Sequence, residues 1–103
     1  MEEALLIWDE LSKDEDGFPV KKPKQLEVYV KEKSVRRSEK YEAMRSGISV
    51  DLVLELRIED WERTAHVVNG KKQYAGKVQY DGCQYDIIRS WKNGKAMIEL
   101  SCG

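Results

Sequence analysis

Long apolar runs, metal-ligand clusters and an excess of either charge are all missing from this chain. No stretch approaches the roughly 18 apolar residues that a membrane-spanning helix needs. The opening "MEEALLIW" is acidic and its apolar run is short, so it does not read as a signal peptide. The expected site of synthesis and residence is the cytoplasm. Cysteine and histidine are scarce: Cys83, Cys102 and His66 are the only ones. With no CxxC spacing and one histidine, they supply neither a zinc framework nor a redox motif. Eighteen Lys and Arg stand against nineteen Asp and Glu, a formal net charge of −1. That balance argues against a dedicated nucleic-acid or membrane binder.

Catalytic signatures are missing as well. There is no GxSxG elbow, no GxxxxGK[ST] and no GxGxxG. His66 lies beside Val67 and Val68 with no Ser or Cys nucleophile near it in sequence, which suits a structural histidine. The carboxylates decorate strand faces and turns. The expectation is a protein that is not an enzyme and needs no cofactor.

What is present is strand pattern and turn chemistry. The 103 residues fit one domain with a single small core, over residues 1–103. Ala4–Trp8, "ALLIW", reads as a first strand, broken by "SKDEDGFPV" with its Asp16-Gly17 and Pro19. Asp14 and Asp16 are spaced as in a calcium loop, but the closing acid is absent and Gln25 stands late in the run, so a solvated turn is expected. In "LEVYVKEK", Leu26, Val28 and Val30 alternate with Glu27, Tyr29 and Lys31, the pattern of a half-buried strand. "ISVDLVLELRIEDW" carries the strongest alternation: Ile48, Val50, Leu52, Leu54, Leu56 and Ile58 share one face. Only Val53 and Trp61 interrupt its polar face.

The last third reads as a meander. Asp81-Gly82 and Asn93-Gly94 are each expected as two-residue hairpin turns with φ > 0 at both positions. The first sets Tyr80 against Cys83, Val78 against Tyr85 and Lys77 against Asp86. The second sets Ile87 against Leu100 and Tyr85 against Cys102. Together they predict one inward set: Val78, Tyr80, Cys83, Tyr85, Ile87, Ile98, Leu100 and Cys102. The two cysteines then sit diagonally, as buried unpaired thiols. Asn69-Gly70 is expected to turn a further hairpin or to sit in an exposed, extended excursion. The sum is a mainly β (α+β) fold with one short helix, closed into a small antiparallel barrel of about six strands. Closure removes exposed strand edges.

The helix is assigned to "KSVRRSEKYEAMRSG", Lys33–Gly47. At about 100° per residue, Tyr41, Met44 and Ile48 form a core stripe. Arg36 and Lys40 fall on a second side, Arg45 opposite them, and Arg37 beside the stripe with its stem along the core edge. Glu39 and Glu42 are placed to pair with Arg36 and Arg45. Four cations split in this way make a solvated amphipathic helix rather than a phosphate-tracking one.

The ordered set "DEDGFPV", "EVYVKEKSVRRSEKYEAMRSGISVDLVLELR", "KVQYDGCQYDIIRSW" and "MIELSC" resembles the phage head-tail joining, or head-closure, proteins over nearly the whole chain. Its most telling parts are S-x-x-x-S-E-x-Y-x-A running into a long alternating strand, then V-x-Y-D-G-x-x-Y-x-I-x-R. The resemblance implies a small barrel with a short helix and mobile loops. It implies a soluble monomer that forms a ring on the portal or adaptor, closes the DNA exit channel and presents the surface to which the tail-end protein binds. Double-stranded DNA would pass through without being specifically bound. The protein would lie in the host cytoplasm before assembly and in the head-tail connector of a phage or prophage particle afterwards. Arg36, Arg37, Lys40 and Arg45 are the implied connector or subunit contacts. Ser46, Gly47, Ile48 and Ser49, with Asn69, Gly70, Lys71 and Lys72, are the candidate channel or neighbour-contact loops. Two alternatives stand beside this reading. One is a cytoplasmic barrel binding single-stranded nucleic acid, for which Tyr29, Trp61 and Trp91 are the available aromatics. The other is a tail-terminator protein.

Overall fold

The computed structural model describes residues 2–34 and 49–103. The helix expected over Lys33–Gly47 therefore falls, but for its first two residues, outside the described residues. So do Arg36, Arg37, Lys40, Arg45, Ser46, Gly47 and Ile48.

The strands are β1 (Glu2–Lys13), β2 (Pro19–Lys33), β3 (Leu52–Arg57), β4 (His66–Val68), β5 (Lys71–Gln73), β6 (Lys77–Tyr80), β7 (Cys83–Asn93) and β8 (Met97–Cys102). Among the described residues one short helix, α1 (Ile58–Glu62), follows β3. Six strands close a barrel in the order β1-β2-β3-β8-β7-β6, with every neighbouring pair antiparallel. The expected mainly β barrel with a short helix is what the chain forms. β4 and β5 pair only with each other and form a separate two-stranded ribbon.

Alternation fills the barrel. Leu6, Val30, Leu54, Leu56, Val78 and Leu100 lose all contact with solvent, and Val28, Leu52 and Ile98 are nearly as deep. Each buried aliphatic side chain contributes about 1.5–3 kcal/mol relative to an exposed one. Val50, Leu52, Leu54 and Leu56 point inward as their spacing requires. Val53, on the opposite face of β3, is nevertheless only 2% exposed, and its neighbours Ser101 and Glu99 on β8 are buried too. The outer side of this sheet is thus covered rather than solvated. Part of the cover is Trp91, whose indole Nε1 donates to Glu99 Oε2 at 2.9 Å.

Three expectations need correction. The strand begun at β3 ends at Arg57, because the Ile58 amide donates to the Ala96 carbonyl and the chain then turns into α1. Glu59 and Asp60 in the first turn suit the positive end of the helix. The turn swings Trp61 into the core instead of leaving it on an outer strand face. Second, Asn93-Gly94 is not a two-residue turn. Gly94 has φ +81, but Asn93 is not left-handed, and the last pair is Asn93↔Met97. A bulge between Ile87 and Arg89 then shifts the register again, so Ile87 faces Cys102 rather than Leu100. Third, Cys83 is exposed and does not join the inward set, because it sits directly after a tight turn at the barrel's rim. Cys102 is buried, and both thiols are unpaired.

The other two turns follow expectation. Asp81 (φ 52) with Gly82 (φ 78), and Asn69 (φ 52) with Gly70 (φ 78), are left-handed at both positions. The first yields Tyr80↔Cys83, Val78↔Tyr85 and Lys77↔Asp86, with Lys77 Nζ 3.8 Å from Asp86 Oδ1.

Candidate functional site: a projecting arm and a cleft at its base

β1 and β2 are longer than the barrel can use. β1 bonds to β6 only through Ala4–Ile7, and β2 bonds to β3 only through Lys31–Lys33. From Trp8↔Lys24 to Lys13↔Pro19 the two strands pair with each other alone. This ribbon is an arm, in a molecule 50 Å along its longest axis against 30 and 28 Å across. Six residues at about 3.3 Å each place the turn roughly 20 Å beyond Trp8. Pro19 and Pro23 lie on its β2 side, and proline offers no N–H to an incoming strand.

The arm's turn is locked from within. Asp14 Oδ1 accepts from the amides of Asp16 (3.0 Å) and Phe18 (2.8 Å), and the Asp14 amide donates to the Phe18 carbonyl. This is the side-chain-to-backbone bonding that makes aspartate a turn former. It presents Phe18 at 67% exposure, and Leu11 lies 51% exposed farther down. Neither ring nor isobutyl group packs into the chain's own core.

At the base of the arm stands the β4–β5 ribbon, and Thr64 pins it. Its fully buried Oγ1 donates to the Trp61 carbonyl at 2.8 Å and accepts from the Ala75 amide at 3.1 Å. One hydroxyl thereby ties the residues before and after the ribbon to α1. Trp61 stacks on Tyr74 with ring centroids 5.2 Å apart. Glu62 accepts from Lys72 Nζ and from the Tyr74 hydroxyl, each at 3.2 Å. Hydrogen bonding to Lys72 leads in holding the Glu62 carboxyl below its ordinary range. The Tyr74 hydroxyl first and Glu62 second hold the Lys72 ammonium above its own.

Between arm and ribbon lies a cleft of about 400 Å3, lined by Ile7, Trp8, His66, Val68 and Tyr74, with Asp9 and Lys77 as its charged members. The Trp8 indole and His66 imidazole lie nearly parallel, 6.3 Å between centroids. His66 Nδ1 is 2.8 Å from the Thr64 carbonyl. A carbonyl only accepts, so Nδ1 carries the proton and Nε2 is the acceptor in the neutral ring. Trp8 Nε1 donates to Glu10 Oε1 at 3.0 Å. The cleft walls are therefore largely aromatic and aliphatic, and Trp8 Nε1, His66 Nδ1 and the Tyr74 hydroxyl are already bonded.

A second, smaller depression of about 300 Å3 crosses the outer faces of β2, β1 and β6, lined in part by Glu3, Glu27 and Asp81. Tyr29, exposed and paired across the ladder with Glu3, stands beside it. An exposed aromatic among carboxylates repels phosphate rather than stacking bases. Trp61 is buried and Trp91 half-buried. The aromatics named for single-stranded nucleic acid therefore do not form a basic stacking face among the described residues.

Of the residues singled out by sequence, Ser49 is exposed and its Oγ donates to Asp51 Oδ1. Asn69 and Gly70 form the β4–β5 turn, with Lys71 and Lys72 directly after it. Lys72 is tied to Glu62, while Lys71 makes no ion pair among the described residues. The arm and the cleft were not anticipated. A signal was available, since Leu6 and Leu26 lie equally far from Asp16, as two strands folding about the Asp16-Gly17 turn require.

Among the described residues, no group of three or more His, Cys, Asp or Glu could hold a metal ion. No helix among them is long and apolar enough to cross a membrane. No family model, curated protein or solved structure matches the chain.

Proposed function

We propose that the protein is a structural head-closure component of a phage or prophage particle. Copies dock as a ring on the portal or adaptor, close the DNA exit channel and present a surface for the tail. The role is structural rather than catalytic. The observation that carries the reading is the arm. A barrel needs no such ribbon to close, and this one holds two large apolar side chains away from the core. Rigid presentation of exposed apolar groups suits contact with other subunits. The ordered sequence resemblance to head-tail joining proteins supports the same role.

The charge balance is consistent with it. A formal net charge of −1 lets DNA slide past without strong electrostatic capture. At 36% charged residues, the surface suits a soluble subunit before assembly. Modest contacts then gain strength by repetition around a ring.

Mixing the protein with assembled portal-adaptor connectors and imaging them tests the reading. An additional ring of density on the connector is expected. No association at high protein concentration would sink it.

A further inference from the structure

We propose that the arm tip of one copy docks on the β4–β5 ribbon of a second copy, with Phe18 in the cleft formed by Trp8, His66, Val68 and Tyr74. The inference deepens the ring reading and rests on it.

Three observations converge on this contact. The first is shape. Phe18 is the one phenylalanine in the chain, and it is held 67% exposed at the end of a ribbon whose turn is fixed by Asp14. The cleft is open, about 400 Å3 in volume and aromatic on two sides. A buried aromatic side chain seated in a pocket is a recurrent form of interface anchor.

The second is charge. The turn, residues 14–18, carries Asp14, Glu15 and Asp16 and no cation, with Lys13 before it and Lys21 and Lys22 set back along the arm, whereas residues 63–77 carry Arg63, Lys71, Lys72 and Lys77 and no carboxylate. Asp14 is occupied in the turn, so Glu15 and Asp16 are the acids left to meet Lys71 and Lys77. Asp86 shares Lys77 at 3.8 Å, and both of those side chains are largely exposed. Asp9 in the cleft opposes an acidic visitor, which favours entry of the ring with its carboxylates kept at the basic rim. Val67, 68% exposed on the other face of the ribbon, adds apolar surface outside the cleft.

The third is reach. The tip stands roughly 20 Å from Trp8 along a paired ribbon, so it cannot fold back into its own cleft. The tip and the cleft are different surfaces of one chain. A contact between them is heterologous, the kind of contact that generates a ring when its rotation closes.

The test traps the contact covalently in the full chain. Cys83→Ser removes the exposed thiol, and Cys102 is buried with its thiol pushed up to about 12, which keeps it inert. On that background, Pro19→Cys in one sample is mixed with Gln73→Cys in another, at millimolar protein under mild oxidation. Pro19→Cys with Gln79→Cys, beside the acidic depression, is the control. The Pro19/Gln73 mixed disulfide should dominate its control. Adding Phe18→Ser should lower its yield about tenfold or more, as truncation of an anchor does. Adding Lys71→Glu should also lower it, and pairing that change with Asp16→Lys should restore it.

A yield no better than the control overturns the contact, as does a yield unmoved by Phe18→Ser. Dominance of the Pro19/Pro19 disulfide would show a symmetric tip-to-tip dimer and also overturn it. The head-closure reading fails separately. A protein that adds a ring to connectors yet gives no tip-to-cleft disulfide keeps that reading and loses this contact. A protein that gives the disulfide yet ignores connectors does the reverse.

Discussion

Within one hairpin the same two strands do opposite things. Toward the barrel, Ala4, Leu6, Val28 and Val30 are buried, and Ala4 and Leu6 are paired with strands on both sides. Beyond Trp8 and Lys24, the strands keep their pairing and lose their core. Backbone bonding alone holds the ribbon straight, so the arm can be long without being hydrophobic inside. An isolated two-stranded ribbon is marginal in water. Here β1 and β2 continue into the barrel, which fixes one end, while the Asp14 turn fixes the other. The barrel therefore carries most of the stability, and the arm carries surface that the fold does not use.

The largest effect should come from the barrel's centre. Leu54 is fully buried among Leu56, Leu100 and Val30. Leu54→Ala should destabilise by about 2–5 kcal/mol in urea unfolding, the range for a buried leucine that leaves a cavity. An equal loss from Leu11→Ala, on the arm, would break the division between the two regions.

The two cysteines sharpen the same division chemically. Burial pushes the Cys102 thiol up to about 12 from an ordinary 9.0, whereas Cys83 is at the surface. The folded state then keeps a proton that the unfolded chain releases above 9.0. Stability tied to this group is complete below that value and is lost as pH climbs toward about 12. An alkylating reagent at mildly alkaline pH should modify Cys83 alone in the native protein, and both thiols in denaturant, as read by mass spectrometry. Native labelling of Cys102 would mean that the barrel opens more readily than its packing implies.

Thr64 tests whether the β4–β5 ribbon belongs to the barrel or to the arm. Thr64→Val keeps the shape, deletes the bond to the Trp61 carbonyl and strands the buried Ala75 amide. A loss of about 1–3 kcal/mol is expected. Faster amide exchange should appear across His66–Gln73 with little change in β3 and β8. A uniform increase throughout the barrel would show that the ribbon is part of one cooperative unit with it.

Local patterns in this chain announced themselves, and distances between elements did not. The alternation of Leu52, Leu54 and Leu56, and the left-handed pairs Asp81-Gly82 and Asn69-Gly70, are short-range signals that needed no knowledge of neighbours. Asn93-Gly94 looked identical in sequence yet turned differently: its last pair is Asn93↔Met97, and the Ile87/Arg89 bulge shifts the register once more before β7 ends its pairing with β8. Trp61 read as an outer strand residue, and only the start of α1 brings it to Tyr74. The arm was hidden for a different reason. Its segments, rich in Lys, Asp and Pro, show no apolar alternation, since no core lies under them. The cleft joins Trp8 to His66 across 58 residues of sequence, and no local pattern encodes such a meeting.

The smallest expected effect is at the arm's turn, where it separates local order from global stability. Asp14→Ala removes the acceptor for the Asp16 and Phe18 amides but leaves the backbone bonds Asp14 to Phe18 and Gly17 to Asp14 in place. The turn should loosen by about 0.5–1.5 kcal/mol, the net worth of such bonds at an exposed site. Amide exchange at Asp16 and Phe18 should quicken accordingly. The urea midpoint should move far less than in Leu54→Ala, because no buried contact of the barrel depends on the turn. A midpoint shift comparable with that of Leu54→Ala would mean that arm and barrel unfold together. The ribbon would then be part of what stabilises the fold, and its exposed Phe18 would need a structural explanation before a docking one.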